Sequence, residues 1–182
     1  FSYKSGRGKG SYSAFSNYFR YKLLLVRGGW WSDTDMVCLR HLDFESDHVF
    51  STEPYQGDNH ITSGIIRAPK GSPVMEFCWQ TCQEKDPDKI VWGEVGPGLV
   101  REAVGLRFTR YKKDVVDYKA FCPIGFERWF DIINPNLNID FGEDTYCVHM
   151  WNEMWRRQNV NKGDDFHPEC LYEKLKKRYL ND

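Results

Sequence analysis

The stretch Phe15-Ser16-Asn17-Tyr18-Phe19-Arg20-Tyr21-Lys22-Leu23-Leu24-Leu25-Val26-Arg27-Gly28-Gly29-Trp30-Trp31-Ser32-Asp33-Thr34-Asp35-Met36-Val37-Cys38-Leu39 decides how this chain is read. Phe15, Phe19, Leu23 and Val26 recur at i, i+4, i+8 and i+11, the stripe of a helix laid on a core. Ser11 or Ser13 is placed to cap that helix, and Gly28-Gly29 tolerates the left-handed conformation at which helices stop. Asn17 and Arg20, three apart, share one helix face. Beyond the glycines, an extended segment would point Asp33 and Asp35 one way and Thr34 the other. Two carboxylates so placed suit a hard divalent cation, one by direct ligation and the other through water or substrate. Oxygen-only ligation favours magnesium or manganese over zinc.

In register, these residues resemble the DXD glycosyltransferases of the GT-A fold. That group takes in capsular-polysaccharide, α-1,4-galactosyl, yeast mannosyl and clostridial-toxin glucosyl transferases. Its pattern runs Ser-Asp/Asn-x-x-Arg-(Tyr)-x-x-Leu, then Gly-Gly-x-Tyr/Trp-x-Asp-x-Asp. A lone Asp-x-Asp carries little information, whereas helix, Arg20, Gly28-Gly29, Trp31, Asp33 and Asp35 in register are specific. The resemblance implies an α/β, GT-A-like domain with a mostly parallel central sheet, and a nucleotide-binding βα region ahead of the motif helix. No such region is present here, so residues 1–182 read as a single catalytic domain lacking its first βα units.

The resemblance also implies roles. Asp35 is the direct metal ligand, and Asp33 contacts ribose or donor sugar and completes the pair. Arg20 sets a guanidinium on the phosphates, which Lys would do with less defined geometry. Trp31 supplies an aromatic plane for base or sugar, and Asn17 stands where the family commonly has Asp, keeping hydrogen bonding but losing charge. Ser63, in a strand read at 60–66, and Gly96-Pro97, at the start of a helix read to about Val104, join the substrate-binding set. An ordinary helix start explains Gly96-Pro97 equally well. Tyr146-Cys147-Val148-His149-Met150-Trp151 reads as a strand bringing His149 and Trp151 to one face. The family's His/Ser-x-Trp closes over the donor there, so Trp151 is expected on a mobile cover. His149 is either a third metal ligand, manganese or magnesium being the cofactor, or a satisfied structural residue.

Composition sets the remaining bounds. Net charge is −1, which gives no global argument for nucleic acid, and seven Trp, ten Tyr and twelve Phe suit both a broad core and a sugar or base site. No apolar run approaches the roughly 20 residues of a membrane span, and no signal peptide opens the sequence. Six cysteines without a Cys-x-x-Cys pair read as buried thiols, pointing to a reducing cytoplasm. The closing helix read at 168–179 turns Leu171, Leu175 and Tyr179 inward. It exposes Lys174, Lys176, Lys177 and Arg178, a solvated face or a peripheral membrane contact.

Elsewhere, residues 1–10 read as a loop, 36–39 as a strand buried on both faces, 49–50 as a strand and 107–117 as an edge hairpin. Residues 120–124 read as a short strand ending at Pro123, and Ser72-Pro73 as the start of a helix running to about Glu84. Asp86-Pro87-Asp88 is formally a second Asp-x-Asp but has no apolar strand beside it. The expected function is metal-dependent, configuration-retaining transfer of a hexose from a UDP-linked sugar to a glycan or glycolipid. Two alternatives stand beside it. One is a non-catalytic carbohydrate- or nucleotide-sugar-binding module. The other is an aspartate-nucleophile phosphatase using Asp33, with Asp164 and Asp165 as its later acidic motif.

Overall fold

The computed structural model describes residues 3–4 and 9–180. The helix of the motif, α1 (Ser13–Arg27), ends where Gly28 adopts φ 68° and returns its N–H to the Leu24 carbonyl. A Cβ at Gly28 would lie 2.5 Å from the Lys70 nitrogen, so close backbone approach and left-handed geometry both demand glycine. The start lacks a side-chain cap on the Tyr12 position, although the Ser11 hydroxyl accepts from the Ser13 amide. Residues 5–8 of the Gly/Lys/Ser-rich opening lie outside the described residues.

The expected inward stripe of α1 is reversed. Phe15, Phe19, Leu23 and Val26 are 38–47 % exposed, while Ala14, Asn17, Arg20, Tyr21 and Leu24 are buried. Periodicity locates an apolar face but not its partner. Here Tyr21 and Leu24 enter the core, and the same face carries Asn17 and Arg20 into the site.

Gly29–Ser32 forms β1, which carries the tryptophan pair. β2 (Met36–Cys38) follows, half-buried at Met36 and Val37 and exposed at Cys38 rather than covered on both faces. β3 (Val49–Tyr55) and β4 (Asp58–Ala68) run longer than the apolar residues alone suggest. They are joined at Gln56 and Gly57, both at positive φ, the two-residue turn that suits a twisted hairpin. One sheet has the order β1-β4-β3. The other pairs β2 with β5 (Cys147–His149).

Every ladder between these strands is antiparallel, which replaces the mostly parallel sheet expected from the resemblance. Parallel neighbours need crossovers of a dozen residues or more, and the turn between β3 and β4 is far too short for one. The protein is thus mixed α/β with small antiparallel sheets.

Alternation along β3 and β4 feeds two cores. Phe50 and Ile66 pack with α1, α2 (Pro73–Glu84) and the helical stretch through α3 (Leu99–Glu102). Val49 and Ile65 pack on the other side with Phe121, Trp129, Val148 and Trp155. Ser72 caps α2 through its hydroxyl, with Pro73 next, as the sequence suggests.

Two strand expectations give way to 3-10 turns, at Thr109–Asp114 and Tyr118–Ala120. Val115 makes a single bridge to Phe50 of β3, and no hairpin forms there among the described residues. At the C-terminal end come α4 (Asn152–Arg157) and α5 (Leu171–Tyr179). Leu171 and Leu175 are buried but Tyr179 is 44 % exposed. Lys174 pairs with Glu169 and Lys176 with Glu173, which reduces the basic face expected there. No described helix is long and apolar enough to cross a membrane, and all six cysteines are free thiols.

Candidate active site

Asp33, Thr34 and Asp35 form a turn between β1 and β2, not the extended run that would send Thr34 away, and all three line one cleft of about 710 Å3. Backbone bonds pin the turn at both ends. The Asp33 amide donates to the Gly64 carbonyl of β4, and the Met150 amide donates to the Asp35 carbonyl.

Asp33 is held by two charged or polar donors. Trp31 Nε1 donates to Asp33 Oδ1 at 2.9 Å, and an Arg20 terminal nitrogen lies 3.0 Å from the same oxygen. Arg20 is 3 % exposed. Its other donors go to the Ser63 carbonyl and to Ser16, and its guanidinium lies 4.8 Å from the Trp31 ring centre. The fork that would reach a phosphate is therefore engaged by the protein. Arg20 lines the cleft, but its contacts are those of a residue that places Asp33.

Asp35 is held from the far end of the chain. Its Oδ1 lies 3.1 Å from His149 Nε2 and its Oδ2 accepts from the Asn152 amide at 3.0 Å. That amide is aimed inward because Trp151 takes the left-handed conformation, φ 51°. Burial by itself raises the Asp35 carboxyl. The hydrogen bond and charge of His149, with the Asn152 amide, outweigh burial and bring it down to about 2. Asp35 is thus a fixed carboxylate at neutral pH.

Asn17 Oδ1 accepts from the Ser63 hydroxyl at 3.5 Å, joining α1 to β4 beside Arg20. Gly96 does not line the cleft. It sits behind Asn17, where a Cβ would come within 2.7 Å of the Asn17 amide nitrogen, so its part is to leave room. Tyr21 fixes that backbone by donating to the Val95 and Gly96 carbonyls, and Pro97 reaches the cleft. Trp151 belongs to a fixed wall rather than a loose cover. It is 9 % exposed, its indole N–H donates to the Ile124 carbonyl at 2.8 Å, and its ring lies 3.8 Å from that of His149.

Asn17, Arg20, Trp31, Asp33, Asp35, Ser63, Pro97, His149 and Trp151 therefore converge on one cleft. Glu53, Tyr55, Trp92, Phe126 and Arg157 line it too, and the sequence reading passed over them. Glu53 and Tyr55 were detectable in principle. Gln56-Gly57 signals a hairpin turn, which extends β3 past Phe50 and puts residues 53 and 55 on one face.

Among the described residues no three His, Cys, Asp or Glu side chains form a ready cage for a cation. The donor set nonetheless fits a hard divalent ion held by one or two carboxylates and completed by substrate phosphate, because Asp35 is ionised and faces the cleft beside Asp33. Asp164 and Asp165 are not in the cleft, which removes the second acidic motif of the phosphatase alternative.

Comparison with known families gives two matches. Residues 4–55 match the glycosyltransferase sugar-binding region containing DXD motif. Residues 67–179, well over half the chain, match the alpha 1,4-glycosyltransferase conserved region. A comparison with curated proteins found no match.

Proposed function

Because the chain belongs to the alpha 1,4-glycosyltransferase family, and is a transferase carrying the DXD motif, we propose that its cleft moves a hexose from a UDP-linked sugar to a glycan or glycolipid, with retention of configuration, within a GT-A-like domain. The observation that carries this reading is the meeting of Asp33 and Asp35 in one cleft, each held by a different part of the chain. Asp35, with Asp33 and His149 beside it, would hold manganese or magnesium. The ion's chemistry there is to offset the negative charge that the leaving diphosphate develops.

The remaining work falls to the protein's own groups. Arg20 fixes Asp33 through one oxygen, leaving the second, which makes no hydrogen bond with a described residue, for the donor. Asn17 and Ser63 offer hydrogen bonds to ribose or sugar hydroxyls from the adjoining wall. His149 and the Asn152 amide keep Asp35 ionised, so no proton leaves before the donor binds. Trp151, locked to Ile124, gives an apolar boundary that limits water at the reacting carbon.

The test is turnover of UDP-glucose and UDP-galactose by the purified chain with manganese, with and without a glycan panel. Release of UDP that depends on manganese and is lost in Asp35→Asn supports the assignment. Manganese-independent release, or full activity in Asp35→Asn, contradicts it.

A further inference from the structure

One acidic side chain in the cleft has a different setting from the others. Asp33 is paired with Arg20, Asp35 with His149, and Glu153 with Arg156 and Arg157. Glu53 lines the same cleft, is half-buried on β3, and makes no hydrogen bond or ion pair with any described residue. Burial raises its carboxyl above the ordinary value, opposed only by the charge of His149. A sheltered carboxylate without partners destabilises the protein that holds it, and such groups persist where a ligand completes them.

Its neighbours indicate the ligand's chemistry. Glu53 and Tyr55 stand two apart on β3 and so share a face. Tyr55 stacks on Phe126 at 5.7 Å, and Phe126 meets Trp151 edge-on at 6.0 Å, which continues the wall to His149. This wall closes because residue 125 is glycine: a Cβ there would lie 2.9 Å from the Pro54 ring and 3.3 Å from the Pro54 carbonyl oxygen. A carboxylate that accepts from hydroxyls, set beside aromatic rings that take C–H faces, matches a pyranose.

We propose that Glu53, with Tyr55 and Phe126, forms the subsite for the donor's hexose, the Glu53 carboxylate accepting a hydrogen bond from one of its hydroxyls. The donor sugar is chosen over the acceptor because Glu53 shares the cleft with His149 and feels its charge, and His149 pairs with Asp35. A pyranose carried on a diphosphate held at Asp35 would lie in the same cleft as Glu53. This rests on the transferase reading above.

The test compares wild type, Glu53→Gln and Tyr55→Ala by calorimetric titration with UDP, UDP-glucose and UDP-galactose in manganese, together with thermal unfolding. In Glu53→Gln, UDP affinity stays within twofold, affinity for the bound UDP-hexose falls roughly tenfold or more, and Tm holds or rises by a few degrees. Tyr55→Ala lowers the same UDP-hexose affinity without touching UDP. Equal UDP-hexose affinity in Glu53→Gln and wild type overturns the proposal, as does a change confined to the acceptor's KM. Loss of UDP itself, or a lowered Tm with all ligands lost together, overturns it as well. A wild type that binds neither UDP nor UDP-hexose refutes the UDP-linked donor proposed above, a result separable from the others.

Discussion

Asp35 Oδ1 and His149 Nε2 lie 3.1 Å apart because β2 and β5 pair with Met36 opposite His149. A short antiparallel ladder, continued by the Met150 amide on the Asp35 carbonyl, delivers a late residue to the turn of an early motif. The pair is therefore set by backbone register, not by side-chain reach. His149→Gln keeps size and hydrogen bonding at that place while removing the imidazole. The manganese concentration for half activity should rise by about tenfold or more, as for residues that support a metal ligand. An unchanged manganese dependence would make His149 structural.

Arg20→Lys keeps the charge and loses the fork that holds Asp33, Ser63 and Ser16 at once. Lys presents a point charge on a flexible stem. The variant should lose about 1–3 kcal/mol of stability, because one or more buried acceptors go unpaired, and should bind UDP-hexose less tightly. Measuring both by denaturant unfolding and titration separates the effects. Wild-type affinity with lowered stability would make Arg20 a core brace without a part in the site.

Gly96→Ala tests the space behind Asn17. The added Cβ would sit 2.7 Å from the Asn17 amide nitrogen, so Asn17 must turn and release Ser63. The expected cost is on the order of 1–3 kcal/mol for overpacking, with donor affinity reduced. Recovery of affinity on adding Asn17→Ala to Gly96→Ala would argue against Asn17 as a donor contact.

The acid limb of unfolding carries the signature of Asp35. Its carboxyl is lowered to about 2 in the folded protein, against 3.8 ordinarily. A depressed carboxyl stabilises the fold above its unfolded value, and that stability fades as pH falls through the folded one. The contribution, of order 2 kcal/mol, should thus be present at pH 5 and decline between about pH 4 and pH 2. Asp35→Asn should flatten the slope in that window. An acid limb identical in variant and wild type would show that the pairing with His149 contributes nothing to folding.

The sequence made the local site legible and the global sheet illegible, for physical reasons. Spacing marked α1, its glycine stop, the Ser72 cap and the shared face of Asn17 and Arg20, since these depend on residues near in sequence, while the meeting of Arg20 with Asp33 was implied by the family resemblance. Sheet direction depends on partners many residues apart, so the antiparallel pairing of β1 with β4 was hidden. Phe15, Phe19, Leu23 and Val26 misled because two faces of α1 are apolar, and the less regular one is buried. Glu53 was missed because Pro54 obscures the strand that carries it, although the hairpin turn just beyond marks its end.

The most direct measurement is calorimetric titration of UDP-galactose and UDP-glucose into wild type, Asp33→Asn and Asp35→Asn, each with and without manganese. Wild type should bind at least one of them more tightly with manganese, by tenfold or more, and Asp35→Asn should lose that gain while remaining folded. Asp33→Asn should weaken binding in both conditions. Binding that is indifferent to manganese, or a full manganese gain in Asp35→Asn, would contradict a transferase site built on the two aspartates.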